Sequence, residues 1–258
     1  MSRYFVWTIG FTMLFMSCDQ DITKSPIPKR TRITQSTQFD QDTIVWDLTN
    51  LEAGLIIESD EDLVLDFQGA VLTGKNFGKN PNRYRGIAID VGKVKKIHIK
   101  NAHFYAFYQG IVGVDIEHLI LENCDFSFFY GESGTSLSQG ESYALNLIGV
   151  DTLSLYNVNF KHVDRALQLT NVDHINIDSS KFSWLRRGAI RVFEQAKNLN
   201  ISNSQFIYLG IPRRREKIFD LPELTMDLRN NYWAHLSQIN EEVFNLNGNG
   251  NQVAYLES

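Results

Sequence analysis

The stretch IHIKNAHF, residues 97–104, sets apolar residues two apart, then Asn, two further positions and Phe. LILENCDF (119–126), LSLYNVNF (153–160), INIDSSKF (175–182) and LNISNSQF (199–206) repeat the pattern, one of them with Ser in place of Asn. Their starts lie 22, 34, 22 and 24 residues apart. A period in this range marks a repeat architecture. The opening positions alternate apolar and polar, which is the period of a strand. A second short run falls between these stretches: GIAI from Gly86, GIVG from Gly110, ALNL from Ala144, ALQL from Ala166 and AIRV from Ala189. Each repeat therefore predicts two well-marked strands and a Phe-bearing stretch.

One such winding cannot bury its apolar face alone, whereas stacked windings share a continuous core. Strands pair with their equivalents one winding on, ~4.8 Å away, so equivalent residues line up in ladders. The pattern predicts an internal stack of Phe104, Phe126, Phe160, Phe182 and Phe206. It also predicts a turn ladder of Asn101, Asn123, Asn157 and Asn203, with Ser179 between. Asn suits such a turn because it tolerates left-handed backbone and its amide bonds neighbouring main chain. Both ladders serve folding. On the first strand the flanking aliphatics point inward, which leaves Ala88, Val112, Asn146, Gln168 and Arg191 pointing out.

Read outward from this repeat, the 258 residues make one large domain over 37–258, with a terminal coil at 225–258. The hydrophobic share of 43% suits a packed core, and the net charge of −5 is unremarkable. Helical amphipathic patterns are nearly absent. The start differs: Arg3 precedes an apolar run from Tyr4 to Met16 and then Ser17 and Cys18. This is the short apolar region of a signal peptide, residues 1–18, rather than a membrane span. Cys18 resembles the lipid acceptor of a bacterial lipoprotein; a signal peptide cleaved without lipid is the alternative. Residues 19–36, polar and with two prolines, read as a flexible tether. The expected location is the bacterial cell envelope, anchored to a membrane. Cys124 takes the place filled elsewhere by Ala102, Val158, Ser180 and Ser204, that of a small packed residue. A disulfide within the mature chain would need Cys18.

The pattern of Gly or Ala with two alternating apolar residues, then the Asn and Phe stretch, resembles the coil of the right-handed parallel β-helix proteins. This is the fold of pectate lyases and of several polysaccharide lyases, hydrolases and epimerases. The resemblance covers about residues 51–256: GLIIESDEDLVLDFQGAVLTG from Gly54 looks like the usual opening coil, and NNYWAHLSQINEEVF with QVAYLES looks like the usual closing module. It implies a single-stranded right-handed solenoid of about six to seven coils. It implies no particular activity, since this fold carries many.

Function is then read from departures from the repeat. The last turn of the coil is short at 105–109, 161–165 and 183–187 and long at 75–85, 130–143 and 210–222. Long loops from one edge make walls, short turns between them make a floor, and binding residues concentrate on such loops. These corners together carry +7, against −12 for the rest of the chain. A basic edge on an acidic protein focuses anionic ligands. The expected partner is an acidic polysaccharide, whose carboxylates suit arginine forks. Export argues against nucleic acid, and the protein is expected to be a monomer. Substrate-binding candidates are Arg165, Arg186, Arg191, Asn146, Gln168, Arg213 and Arg214, with Trp184, Tyr130 and Tyr143 offering flat faces to sugar rings.

β-Elimination of a uronate needs a neutralised carboxylate, a base and an acid. Arg165, Arg187 and Arg191 are candidates for the first, Lys161 or His162 for the second and Tyr143 for the third. Epimerisation would use the same groups. Hydrolysis needs facing carboxylates, and only Asp164 and Glu141 lie near. A non-catalytic glycan-binding or structural role is the alternative to an enzyme. Glu117, Asp151 and Asp173 would stack in three adjacent coils, but Lys95 and Lys197 flank them, so a turn ladder is preferred to calcium. No cofactor is expected, and nothing resembles a zinc site or a phosphate loop.

Overall fold

The computed structural model describes residues 27–40, 42–48, 52–74, 85–89, 94–129, 142–209, 219–236 and 249–254. Among them the chain is all-β and without a helix. The strands come in successive sets. The first holds β1 (Thr31–Ile33), β2 (Thr37–Gln38) and β3 (Thr43–Trp46), and the second β4 (Ala53–Ile57), β5 (Leu63–Asp66) and β6 (Val71–Gly74). The third holds β7 (Arg85–Ile89), β8 (Val94–Lys100) and β9 (His103–Tyr105). In the next three sets the first two strands merge, giving β10 (Gln109–Glu122) with β11 (Asp125–Phe129), β12 (Tyr143–Tyr156) with β13 (Asn159–Val163), and β14 (Arg165–Asp178) with β15 (Lys181–Leu185). The seventh holds β16 (Gly188–Phe193), β17 (Asn198–Ser202) and β18 (Gln205–Leu209), and the eighth β19 (Phe219–Asp220), β20 (Thr225–Arg229) and β21 (Tyr232–Leu236). β22 (Gln252–Ala254) follows.

Every strand pairs in parallel with its equivalent in the next set. The first and second strands build sheet A, of thirteen strands, and the third strands build sheet B, of nine. This stack is compatible with a parallel β-helix. The first of these sets carries no Asn–Phe signature and is defined only by its pairing. Its β1 falls within the span expected as a tether, with Thr31–Ile33 in registry with Leu55–Ile57. Polar composition at an edge strand does not exclude pairing, since only one side of it is covered.

The core forms where register puts like on like. Phe104, Phe126, Phe160, Phe182 and Phe206 are all fully buried and share one register position. Their rings stack at centroid spacings of 4.6, 5.2, 4.8 and 4.6 Å, and Trp233 extends the column at 4.2 Å from Phe206. The small residue that opens each first strand follows from this column. A Cβ on Gly110 would fall 2.6 Å from the Ala144 carbonyl oxygen and 2.9 Å from the Phe126 ring, so at this place even an alanine would force the backbone to shift.

The turn before each third strand is the predicted ladder. Asn101, Asn123, Asn157, Ser179 and Asn203 take φ between 51° and 56°. The Asn157 amide donates to Asn123 at 2.8 Å, and Asn123 donates to Asn101 at 3.2 Å. Where Ser179 interrupts the ladder, Asn203 donates instead to Asp178 at 2.7 Å. Burial would raise the Asp178 carboxyl, but hydrogen bonds from Ser202, Asn203 and Ser179 outweigh it and hold the group below its ordinary value. Cys124 lies buried beneath this turn, and burial pushes its thiol up to about 12. It is a packed, unreactive residue.

Candidate functional site

The outward row on the first strand lies where alternation placed it. Ala88, Val112, Asn146, Gln168 and Arg191 are in register and partly exposed between buried aliphatics. Asp220 continues the row. It also neutralises it, since Arg191 Nε donates to Asp220 Oδ2 at 3.2 Å. Arg191 further lies 5.7 Å from the centre of the Phe193 ring.

The corner from sheet B to sheet A stacks as the first strands do. The Asp164 amide donates to the Phe129 carbonyl at 2.9 Å, and the Arg187 amide to the Asp164 carbonyl at 2.8 Å. Charge in this corner is largely internal. Arg165 has no exposed surface, and Asp164 is 2% exposed. Arg186 Nη1 pairs with Asp164 Oδ1 at 3.1 Å, while Asp164 Oδ2 accepts from the Ser142 amide at 3.3 Å. Arg165 therefore stands inside the corner rather than on its surface, and Asp164 holds the corner together rather than facing a scissile bond. An isolated charge is too costly to bury, and the buried Asp164 carboxylate is met by Arg186 and the Ser142 amide.

Lys161, His162 and Trp184 belong to sheet B, not to a floor turn. β13 runs on to Val163 and β15 to Leu185. It does so through one left-handed residue per strand: Phe128, His162 and Trp184 have φ of 62°, 54° and 57°, and Ala106 has 64° at the same place. Such a conformation costs a non-glycine residue of order 1–3 kcal/mol. Pairing resumes beyond the bulge, with Phe129 opposite Val163. The three rings form an outer column: Phe128 to His162 at 5.1 Å and His162 to Trp184 at 5.8 Å, with interplanar angles of 28° and 23°. His162 thus covers one Trp184 face, which the ring-stacking expectation had left open. Lys161 is exposed beside the column. The signal for this column was in the sequence, an aromatic ring or imidazole two places after Phe126, Phe160 and Phe182, and alternation alone reads it as inward-facing.

The structure thus divides the predicted residues about one corner. Tyr143, Arg165, Asn146, Gln168 and Arg191 lie on sheet A, Lys161, His162 and Trp184 on sheet B, and Arg186 and Arg187 at the bend. Arg213, Arg214, Tyr130, Glu141, most of the long corner loops and Cys18 lie outside the described residues. At the opposite edge, Glu117, Asp151 and Asp173 line a hollow of about 460 Å³ with Asp115 and Asn171. Lys197 donates to Asp173 there at 2.5 Å. Among the described residues no group of three acidic, His or Cys side chains is placed to hold a metal ion.

Two imidazoles carry a pH dependence. Burial and then the charge of Lys161 hold His162 below its ordinary value of 6.5. Burial, then Lys96 and His98, do the same for His118, whose Nε2 lies 3.0 Å from Ser154 Oγ. Below 6.5 the unfolded chain takes up these protons more readily than the folded one. Their contribution is complete above that value and is lost as the pH falls through the lowered ones. Denaturation midpoints measured from about pH 8 to about pH 5 should fall on the acid side. His118→Gln with His162→Gln should flatten that slope; an unchanged slope would assign it to other groups.

Compared with family models, curated proteins and solved structures, the chain matches none of them.

Proposed function

We propose that this protein is a right-handed, single-stranded parallel β-helix of the pectate-lyase-like kind that binds an acidic polysaccharide at a bacterial cell envelope. The observation that carries this reading is exposed Lys161 beside the outer ring column on β13, with Arg186 and Arg187 following β15 at the bend beyond. Cations at one corner of an acidic chain raise the local concentration of polyanions. The membrane contact is lipid on Cys18, which Cys18→Ser tests by moving the protein from the membrane to the soluble fraction.

Cleavage by β-elimination is the second reading. His162 supports it, because an imidazole held neutral beside a lysine is a base next to a cation. Against it, Tyr143 stands on the other sheet, in register with the fully buried Arg165, and Arg191 is paired with Asp220. Binding therefore ranks first.

The test uses alginate, pectate, glycosaminoglycans and a neutral glucan with the full chain. Retardation by at least one acidic polymer, weakened by salt and absent with the glucan, is the expected result. Retention by none of them overturns the reading. New absorbance from unsaturated sugar ends, abolished in His162→Ala, would promote cleavage over binding.

A further inference from the structure

The outer column of sheet B has features that folding does not require. The bulge itself belongs to the repeat, since Ala106 adopts it without a ring. Three successive sets nevertheless place Phe128, His162 and Trp184 there. Phe128 is 36% and Trp184 49% exposed. Large rings at left-handed positions, open to water, oppose both backbone preference and burial.

We infer, resting on the acidic-polymer reading, that this column is a linear subsite strip that takes an extended acidic oligosaccharide along the stack, about one sugar ring per winding. Three observations support the ligand class. The rings cover one another's faces, so the column turns ring edges to solvent, and edges are the positive side of an aromatic quadrupole. Lys161 is exposed next to His162, and Lys181 is exposed on the following strand, which complements repeated carboxylates. Successive windings are ~4.8 Å apart, a length comparable to the advance of one pyranose in an extended chain, so successive sugar rings stay in step with the column across three windings.

Left-handed backbone provides a test that separates binding from folding. Phe128→Gly and Trp184→Gly remove a ring and relieve the backbone at the same time, so both variants are expected to fold with wild-type midpoints. Oligouronates of increasing length are titrated against the full chain and followed by tryptophan emission. Trp46 and Trp233 are buried at 1% and 0% exposure, and Trp7 falls in the expected signal peptide, so the response should come from Trp184 and vanish in Trp184→Phe. Affinity should climb with each added sugar until the ligand spans the column. Phe128→Gly should lower affinity roughly ten-fold for long oligomers and leave the shortest unchanged. Full affinity in both glycine variants overturns the strip and leaves acidic-polymer binding standing elsewhere on the corner. Equal binding of neutral oligosaccharides overturns the charge argument. Adsorption to phosphatidylglycerol vesicles with no sugar response would assign the column to a membrane surface and overturn the proposal. Failure of every uronate oligomer and polymer to bind the unmodified protein removes the underlying reading as well.

Discussion

Asp164→Ala is expected to cost the fold about 3–5 kcal/mol, the range for breaking a buried ion pair by removing one partner. Asp164 is almost wholly buried, forms an ion pair with Arg186 and accepts from the Ser142 amide. The Ser142 hydroxyl donates to the Phe129 carbonyl at 2.5 Å and lies 3.2 Å from the same carboxylate. Alanine leaves the Ser142 amide without its acceptor and Arg186 without its counter-charge. Arg186 keeps some access to water and can partly re-solvate, so the larger share of the loss comes from the buried side of the contact. Asp164→Asn keeps an acceptor for Ser142 and should cost less. Chemical denaturation of the two variants checks the ordering. A loss under about 1 kcal/mol for Asp164→Ala, the worth of an exposed pair, would mean that this corner is hydrated.

Phe160→Ala is expected to cost a similar about 3–5 kcal/mol, by cavity formation. Its ring lies between Phe126 at 5.2 Å and Phe182 at 4.8 Å, with no surface exposed. The column cannot close over the gap, because strand pairing fixes the spacing of the windings. The loss falls on the interfaces with both neighbours, and a stacked repeat is stabilised by its nearest-neighbour interfaces. The denaturant slope should therefore drop, or the transition split, as the two halves uncouple. Phe160→Leu keeps most of the volume and should cost much less. A single unchanged transition in Phe160→Ala would show that the stack is not the coupling element.

Much of the architecture was legible because it depends on periods. Alternation assigned Asn146, Gln168 and Arg191 to an outer row, and all three lie there in register. Counting from Asn to Phe located both ladders, including the place where Ser179 substitutes. The candidate site was less legible, for two reasons. The partner of a charge lies one winding away, some 22 or more residues along the chain: Asp164 meets Arg186, and Arg191 meets Asp220. The bulge in sheet B adds one left-handed residue, and a single residue reverses which face a side chain takes. That reversal carried His162 and Trp184 out of the expected corner floor and into the outer column.

Residue order by itself determined that this chain stacks, which side chains repeat and which turn each Asn closes, since all of these follow from local spacing. Only the tertiary structure decided that Arg165 is interior, that Arg186 and Arg191 are already paired with carboxylates, and that three rings line up outside. Burial and pairing are properties of what lies across the gap between windings, and no local pattern records them.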